Sequence, residues 1–324
     1  MSTRWSSAVV VGAGISGCLA ALSLRRVLDD VEMMDRQTAA RIDFPMTVGF
    51  GLVHELHELG LSGKWNAWNG KTPVTAQLSA WGASEMECEV GIIPSTQRYL
   101  VRRMALEMFL REATLQCGIK VCKGLEQRSQ ECVVVDATGR SGQIARRRGV
   151  RRCAASTLVA RHGVGLRNRL PDACTAIQSG PDGWWFAAGE RNRASVMYLS
   201  TRTALPGYTD PDQPEAFAAL VGDICFHGAA SLAAMSWLEA ASADNWFAVG
   251  DSALALDPVL GSGVEVAAQS ARLLREAVHL RDPHDFYNSS MNQIVAKYRI
   301  ARHRLYGRAA AYHGGEFWAL QLRV

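Results

Sequence analysis

Ser7-Ala-Val-Val-Val-Gly-Ala-Gly-Ile-Ser-Gly-Cys-Leu-Ala-Ala-Leu-Ser-Leu24 is the stretch that decides the fold of this 324-residue chain. Ala8 to Val11 reads as a buried strand that runs into Gly12-x-Gly14-x-x-Gly17 and then into a helix of small residues. Each glycine answers a separate steric need: Gly12 the tight turn, Gly14 the approach of a pyrophosphate to the backbone, Gly17 close helix–strand packing. The helix start adds free N–H groups and positive potential, so Gly12, Gly14, Ile15, Ser16 and Gly17 form the expected dinucleotide cradle. Glycine-rich turns also recur by chance, and an acid about 20 residues on is the check. Val31-Glu-Met-Met-Asp35-Arg36 reads as a second strand ending in Asp35, placed to accept from an adenosine ribose hydroxyl, with Arg36 beside it.

Composition bounds the rest. Hydrophobic residues make up 48% and charged residues 20%, as in an ordinary globular protein with room for two domains or one interleaved one. The net charge of +4 is modest. Arg146-Arg-Arg-Gly-Val-Arg-Arg152 is a basic run with no recognition motif around it, so it reads as a solvated loop and no nucleic-acid partner is expected. No apolar run reaches the roughly 18 residues of a membrane span, and the first apolar stretch is the dinucleotide strand itself rather than a signal peptide. Cys18, Cys88, Cys117, Cys122, Cys132, Cys153, Cys174 and Cys225 contain no CxxC pair, which argues against zinc and against a disulfide framework. They read as reduced thiols of a cytoplasmic protein, and no metal site is expected.

Along the chain, Gly51 to Gly60 has Leu52, Leu56 and Leu59 at helical spacing, and its His54 and His57 lack the i, i+4 arrangement of a zincin helix. Val74-Thr-Ala-Gln-Leu-Ser-Ala-Trp81 alternates like a half-buried strand. Tyr99 to Cys117 is expected to be a helix with Leu100, Met104, Met108 and Leu115 on one face. Glu131-Cys-Val-Val-Val-Asp136 is an apolar parallel strand whose end, Asp-Ala-Thr-Gly139-Arg140, marks a second edge of the dinucleotide site. From Thr157 to Ser200 alternating strands, Gly183 to Ala188 and Ser195 to Leu199 among them, predict an antiparallel sheet. Asn245 to Ser270 supplies another strand ending at Gly250-Asp251, a turn at Asp257-Pro258, and Gly261-Ser262-Gly263 opening a small-residue helix. The fold class is therefore α/β: a Rossmann-like dinucleotide domain (1–64, 92–150 and 240–280), interleaved with an antiparallel β-sheet substrate domain (65–91 and 151–239), and a helical C-terminus (281–324).

Taken together, Gly12-x-Gly14-x-x-Gly17, Asp136-Ala-Thr-Gly139, Gly250-Asp251 and the Pro258-to-Gly263 turn resemble the p-hydroxybenzoate hydroxylase fold of FAD-dependent monooxygenases. The resemblance implies FAD rather than NAD, with Gly250 and Asp251 against the ribityl chain and Pro258, Gly261, Ser262 and Gly263 facing the flavin ring. Leu78-Ser-Ala-Trp-Gly82, Asp182-Gly-Trp-Trp-Phe-Ala-Ala188 and Gly250 to Pro258 are similar to the branch holding tryptophan halogenases and the flavoproteins that hydroxylate a tryptophan during quinone-cofactor maturation. The same likeness places Arg102 and Gly139 near the cofactor. The halogenase pattern Trp-x-Trp-x-Ile-Pro is replaced by Trp184-Trp-Phe-Ala-Ala-Gly189, and Lys71, the candidate for the halogenase lysine, lacks the matching surroundings. Only about a dozen residues link Val121 to Val133, which implies a trimmed fold with a weakened hold on FAD.

The resemblance thus implies a monooxygenase that hydroxylates an electron-rich aromatic, an indole or tryptophan, free or on a peptide or protein, through a C4a-hydroperoxyflavin. Its reductant would be NAD(P)H directly or a partner flavin reductase. A dehydrogenase or reductase of the same fold is the alternative, and a halogenase a more distant one. Trp81, Trp184, Trp185 and Phe186 are the expected cavity lining, Trp184 and Trp185 forming an apolar slot, although tryptophans bury large area in any core. The catalytic base stays open among His162, Tyr198 and His227.

Overall fold

The computed structural model describes residues 5–35, 42–90, 97–122, 131–201 and 211–323. Two compact units divide the chain: residues 1–71, 101–154 and 236–297 form the first, and residues 72–100, 155–235 and 298–324 the second.

The first unit is built on a six-stranded sheet. The opening strand, Ser7–Val11, lies between Asp30–Met34 and Cys132–Asp136, with both pairings parallel. Trp246–Ala248 adds in parallel outside Cys132–Asp136, and Lys120–Cys122 outside Asp30–Met34. The chain moves to one side of the opening strand first and returns to its other side later. That reversal is the topological switch point at which doubly wound sheets bind ligands, beyond the carboxyl ends of their strands. Val9, Val10, Val133 and Val135 are almost wholly buried, in keeping with strands covered on both faces. Helices Ile15–Arg25 and Gly263–Ala277 contribute small residues, Gly17, Ala20 and Ala21 from one and Ala267, Ala268 and Ala271 from the other, all buried.

Residues 99–117 depart from the expected single helix. Tyr99–Arg102 is a strand, and the helix runs over Arg103–Gln116. It buries Leu106, Phe109, Leu110 and Ala113, whereas Met104 and Met108 are 48% and 69% exposed. The segment carries two apolar stripes, and the one at i, i+3, i+4, i+7 from Leu106 packs inward.

The second unit centres on a seven-stranded sheet whose inner strands are Leu158–Arg167, Arg193–Thr201, Gly183–Glu190 and Cys174–Gly180. These pair antiparallel, but Ala76–Ala80 joins Cys174–Gly180 in parallel, so the sheet is mixed rather than purely antiparallel. The long helix Pro283–His313 starts in the first unit and its residues from 298 onward belong to the second. No helix of the described residues is long and apolar enough to cross a membrane. All eight cysteines are free.

Candidate functional site

The site is assembled in the first unit, where three separated turns meet. Gly12 has φ +114°, and a Cβ there would overlap the carbonyl oxygen of Ala137, the residue after the Cys132–Asp136 strand. Gly17 is equally confined: its Cβ would strike the Gly12 carbonyl and lie 3.3 Å from the Ala137 side chain. Gly250, with φ +54°, would drive a Cβ into the Ser16 hydroxyl. The first glycine turn, the Asp136-to-Gly139 strand end and the Gly250-Asp251 turn therefore converge through contacts that only glycine permits.

The surroundings suit a pyrophosphate. The Ile15–Arg25 helix has Gly14 as an extended N-cap, no side chain capping it and no acid in its first turn. Its leading N–H groups have no intrahelical partner and sit at the positive end of the helix. The Gly263–Ala277 helix likewise starts without a side-chain cap, at Ser262, and a Cβ on Gly263 or Gly139 would meet nothing within 4 Å. On these observations the residues present fit FAD: backbone N–H groups, open glycine faces and one acidic side chain at each end.

Those acids are already oriented. Asp35, at the end of its strand, receives Arg111 Nη1 at 2.5 Å from the Arg103–Gln116 helix. Asp251 lies 3.8 Å from Arg140 Nε. Arg140 also donates to the Leu256 carbonyl at 2.5 Å, and the buried Asp257 caps the Pro258–Leu260 turn by accepting from Val259 N at 3.2 Å. The buried Asp136 carboxylate accepts from four groups, the amide and hydroxyl of Thr138 and the amides of Ile144 and Ala145. It shapes the Gly139 turn rather than facing a ligand. Glu265, in the first turn of its helix, accepts from the amides of Gly49 and Leu52 at 2.7 and 3.0 Å, which fixes the start of the Phe50–Glu58 helix beside it.

Other expected residues have contacts of their own or lie outside the described residues. Arg102 pairs with Asp43 through a 3.2 Å contact, both side chains about one-third exposed. Arg36 lies outside the described residues, as do residues 123–130 of the short Val121-to-Val133 link. Lys71 donates to the carbonyls of Trp65, Asn66 and Trp68 at 2.6, 3.1 and 2.8 Å, so its three protons close the end of the Ser62–Ala67 helix. Within the Arg146-to-Arg152 run, Arg148 meets Asp244 and Asn245, and Arg151 meets Glu239. Arg152 is not a solvated loop residue: desolvation by burial lowers its pKa, and it donates to backbone carbonyls of the Gly250–Ser252 turn. Its sequence signal is position, the last arginine of the run, opening the short strand Arg152–Ala154.

In the second unit, Trp184 and Trp185 do not form one slot, because neighbours on a strand point to opposite faces. Trp184 joins Trp81 and Tyr306, donating its Nε1 proton to the Tyr306 hydroxyl at 3.1 Å, while Trp81 Nε1 donates to the Leu305 carbonyl at 2.7 Å. Trp318 closes that cluster. Trp185 packs with Tyr198 and Phe217 on the other side. Phe186 shares the Trp184 face and is half-buried against Val74, Leu100 and Ala188.

The same parity sorts the candidate bases. Tyr198 stands opposite Trp185, and burial pushes its phenol pKa up. His162 pairs across the ladder with Met197, which pairs in turn with Phe186, so His162 lies on the face of Trp184 and Phe186. His227 is directly opposite His162 on the next strand and is exposed. The His162 imidazole, 3.2 Å from Ser231 Oγ, has its pKa lowered by burial and so is neutral at physiological pH. A neutral imidazole can accept a proton, whereas the Tyr198 phenol cannot.

No family model matches the chain. A solved structure of CmlS, a flavin-dependent halogenase, superimposes with a TM-score of 0.82 over 99% of this chain and 68% of its own, at 19% identity. The chain has the FAD-dependent halogenase and monooxygenase fold. The peptidyl tryptophan dihydroxylase QhpG, essential for tryptophylquinone cofactor biogenesis, gives a TM-score of 0.72 over 98% of this chain and 78% of its own, at 20% identity. By sequence, LodB of Marinomonas mediterranea, provisionally named an FAD-dependent oxidoreductase, is 26% identical over 96% of this chain and 95% of its own. The menaquinone reductase of Mycobacterium tuberculosis is 27% identical over 85% of this chain and 76% of its own.

Proposed function

We propose that this chain is an FAD-dependent monooxygenase that hydroxylates an electron-rich aromatic ring, an indole or tryptophan side chain carried on a peptide or partner protein. The observation that carries the reading is the convergence of Gly12, Gly17, Ala137, Ser16 and Gly250 on one cradle, in a chain whose fold matches QhpG along nearly its whole length. Reduced FAD supplies oxygen activation when bound, and electron-rich rings are its natural acceptors. The protein's share is binding and orientation. Ile15 to Gly17 hold the pyrophosphate by backbone N–H groups, Asp35 and Asp251 accept from the ribose and ribityl hydroxyls, and the Ser262-Gly263 helix start offers N–H groups to the flavin edge. On the sheet of the second unit, Phe186, Met197 and the neutral His162 share one face, and His162 is the candidate base on it. Electrons come from NAD(P)H or a partner flavin reductase, and the protein works in the cytoplasm.

The likeness to a menaquinone reductase favours a second reading, an FAD-dependent reductase of the same fold that does not activate oxygen. One experiment separates the two. Reduced enzyme is exposed to labelled dioxygen with free tryptophan, a tryptophan-containing precursor protein, and a simple phenol. The proposal expects label in the precursor's tryptophan. Turnover with no label in any product favours the reductase, and label in the phenol alone removes the indole assignment.

A further inference from the structure

We propose that Arg152 is a positioning residue for the flavin half of the cofactor: it fixes the Gly250–Ser252 turn from behind, and through it the aim of Asp251. The inference rests on the FAD reading above and assigns a role that the motif residues do not hold themselves.

The Gly250–Ser252 turn is irregular, with Gly250 at φ +54°, and a turn of this kind leaves carbonyls without ladder partners. Arg152 supplies them. Its Nη2 donates to the Ser252 carbonyl, lies 3.4 Å from that of Asp251, and its Nη1 donates to Ser236 Oγ at 3.1 Å. These hydrogen bonds go to the turn and to the Ser236–Leu238 strand paired beside it, while the Asp136 and Asp251 carboxylates add charge attraction. A guanidinium taken partly out of water needs its protons matched, and here two backbone carbonyls of the turn and one hydroxyl match them, which ties the turn to the Arg152 strand. Gly142, in the left-handed conformation, leaves the passage open: a Cβ there would sit 3.1 Å from Arg152 Nη2.

The other attachments act on different sides of the same turn. Ser270 Oγ accepts from Gly250 N at 2.9 Å, and Ser252 Oγ donates to the Gly139 carbonyl at 3.1 Å. Arg140 stands by the Asp251 carboxylate. Arg152 alone among these binds the turn's backbone carbonyls at residues 251 and 252, so it is the group whose removal lets Asp251 swing while the Gly12-to-Gly17 cradle keeps its shape.

The test exploits that separation, because ADP occupies the cradle and the Asp35 end but not the Asp251 end. FAD and ADP affinities are measured on the full-length parent, Arg152→Met and Arg152→Lys, together with thermal midpoints and the visible circular dichroism of bound flavin. Arg152→Met is expected to weaken FAD roughly tenfold to hundredfold, the range for losing hydrogen bonds to a charged group, with ADP unchanged. Arg152→Lys, which keeps the charge and the fold, recovers part of the loss, and the dichroism of the bound flavin changes in both variants. Equal weakening of ADP and FAD, or an Arg152→Lys protein that binds FAD and shows dichroism like the parent, would overturn the proposal. A parent that binds ADP but not FAD overturns the flavin reading itself, and this inference with it.

Discussion

Gly250 shows how a single side chain, or its absence, sets this site. Its contact with Ser16 leaves no volume for a Cβ, so Gly250→Ala is expected to cost about 1–3 kcal/mol of stability and to weaken FAD binding more than Gly139→Ala, which shares the strain of a positive φ (+67°) but opens on empty space. Thermal unfolding and FAD titration of both variants check this, and equal effects would contradict it. Glu55 provides a pH signature. Desolvation by burial raises its pKa, against opposing contributions from Ser23 and Arg275. A carboxyl with a raised folded pKa binds its proton more tightly when folded, so its contribution to stability is fullest below the ordinary glutamate pKa. That contribution is lost as pH rises through the raised folded value. The Glu55→Gln protein should therefore show a flatter fall in thermal midpoint between mildly acidic and neutral pH, and an unchanged slope would refute the assignment. Glycines of this kind are legible in sequence because their requirement is local. Arg152 and the Arg111–Asp35 pair were not, since their partners lie 84 to 100 and 76 residues away.

At the scale of elements, two readings turned on periodicity. The Arg103–Gln116 helix offers two apolar stripes, and sequence alone gives no reason to prefer Leu106, Phe109 and Leu110 over Met104 and Met108. The difference is measurable: Leu106→Ala is expected to cost about 2–5 kcal/mol, and Met108→Ala less than about 0.5 kcal/mol. Comparable losses from the two would reverse the packing described here. The Gly183–Glu190 strand was legible as a strand, and its alternation by itself separates Trp184 from Trp185. What sequence could not show is that Tyr306 and Trp318, more than a hundred residues later, fill the space beside Trp184. Trp184→Phe removes the proton donated to Tyr306 while keeping most of the volume, and it should lower the thermal midpoint by about 1–2 °C, as the loss of one buried hydrogen bond of about 1 kcal/mol does in a chain of this length.

For the whole molecule, the parallel sheet and the glycine turns were readable because a buried βαβ unit writes itself in consecutive residues. The second unit drew its strands from both sides of that sheet's segments in sequence, and the parallel pairing of its inner Ala76–Ala80 strand has no local marker. Chemistry follows the same division. Because Lys71 has its ammonium protons committed to three carbonyls and the Trp184-to-Gly189 segment lacks the halogenase pattern, bromide with reduced FAD, dioxygen and indole compounds should give no brominated product. Mass spectrometry decides it, and a bromine isotope pattern that vanishes in Lys71→Ala would reverse the reading. The claim on which everything else depends is that FAD lies across Gly12 to Gly17 with its ribityl chain at Asp251. Titration of apoprotein with FAD, followed by flavin fluorescence, tests it most directly. The account predicts saturation at one FAD per chain, with markedly weaker binding in both Gly14→Val and Asp251→Ala, and retention of parent affinity by both variants would contradict it.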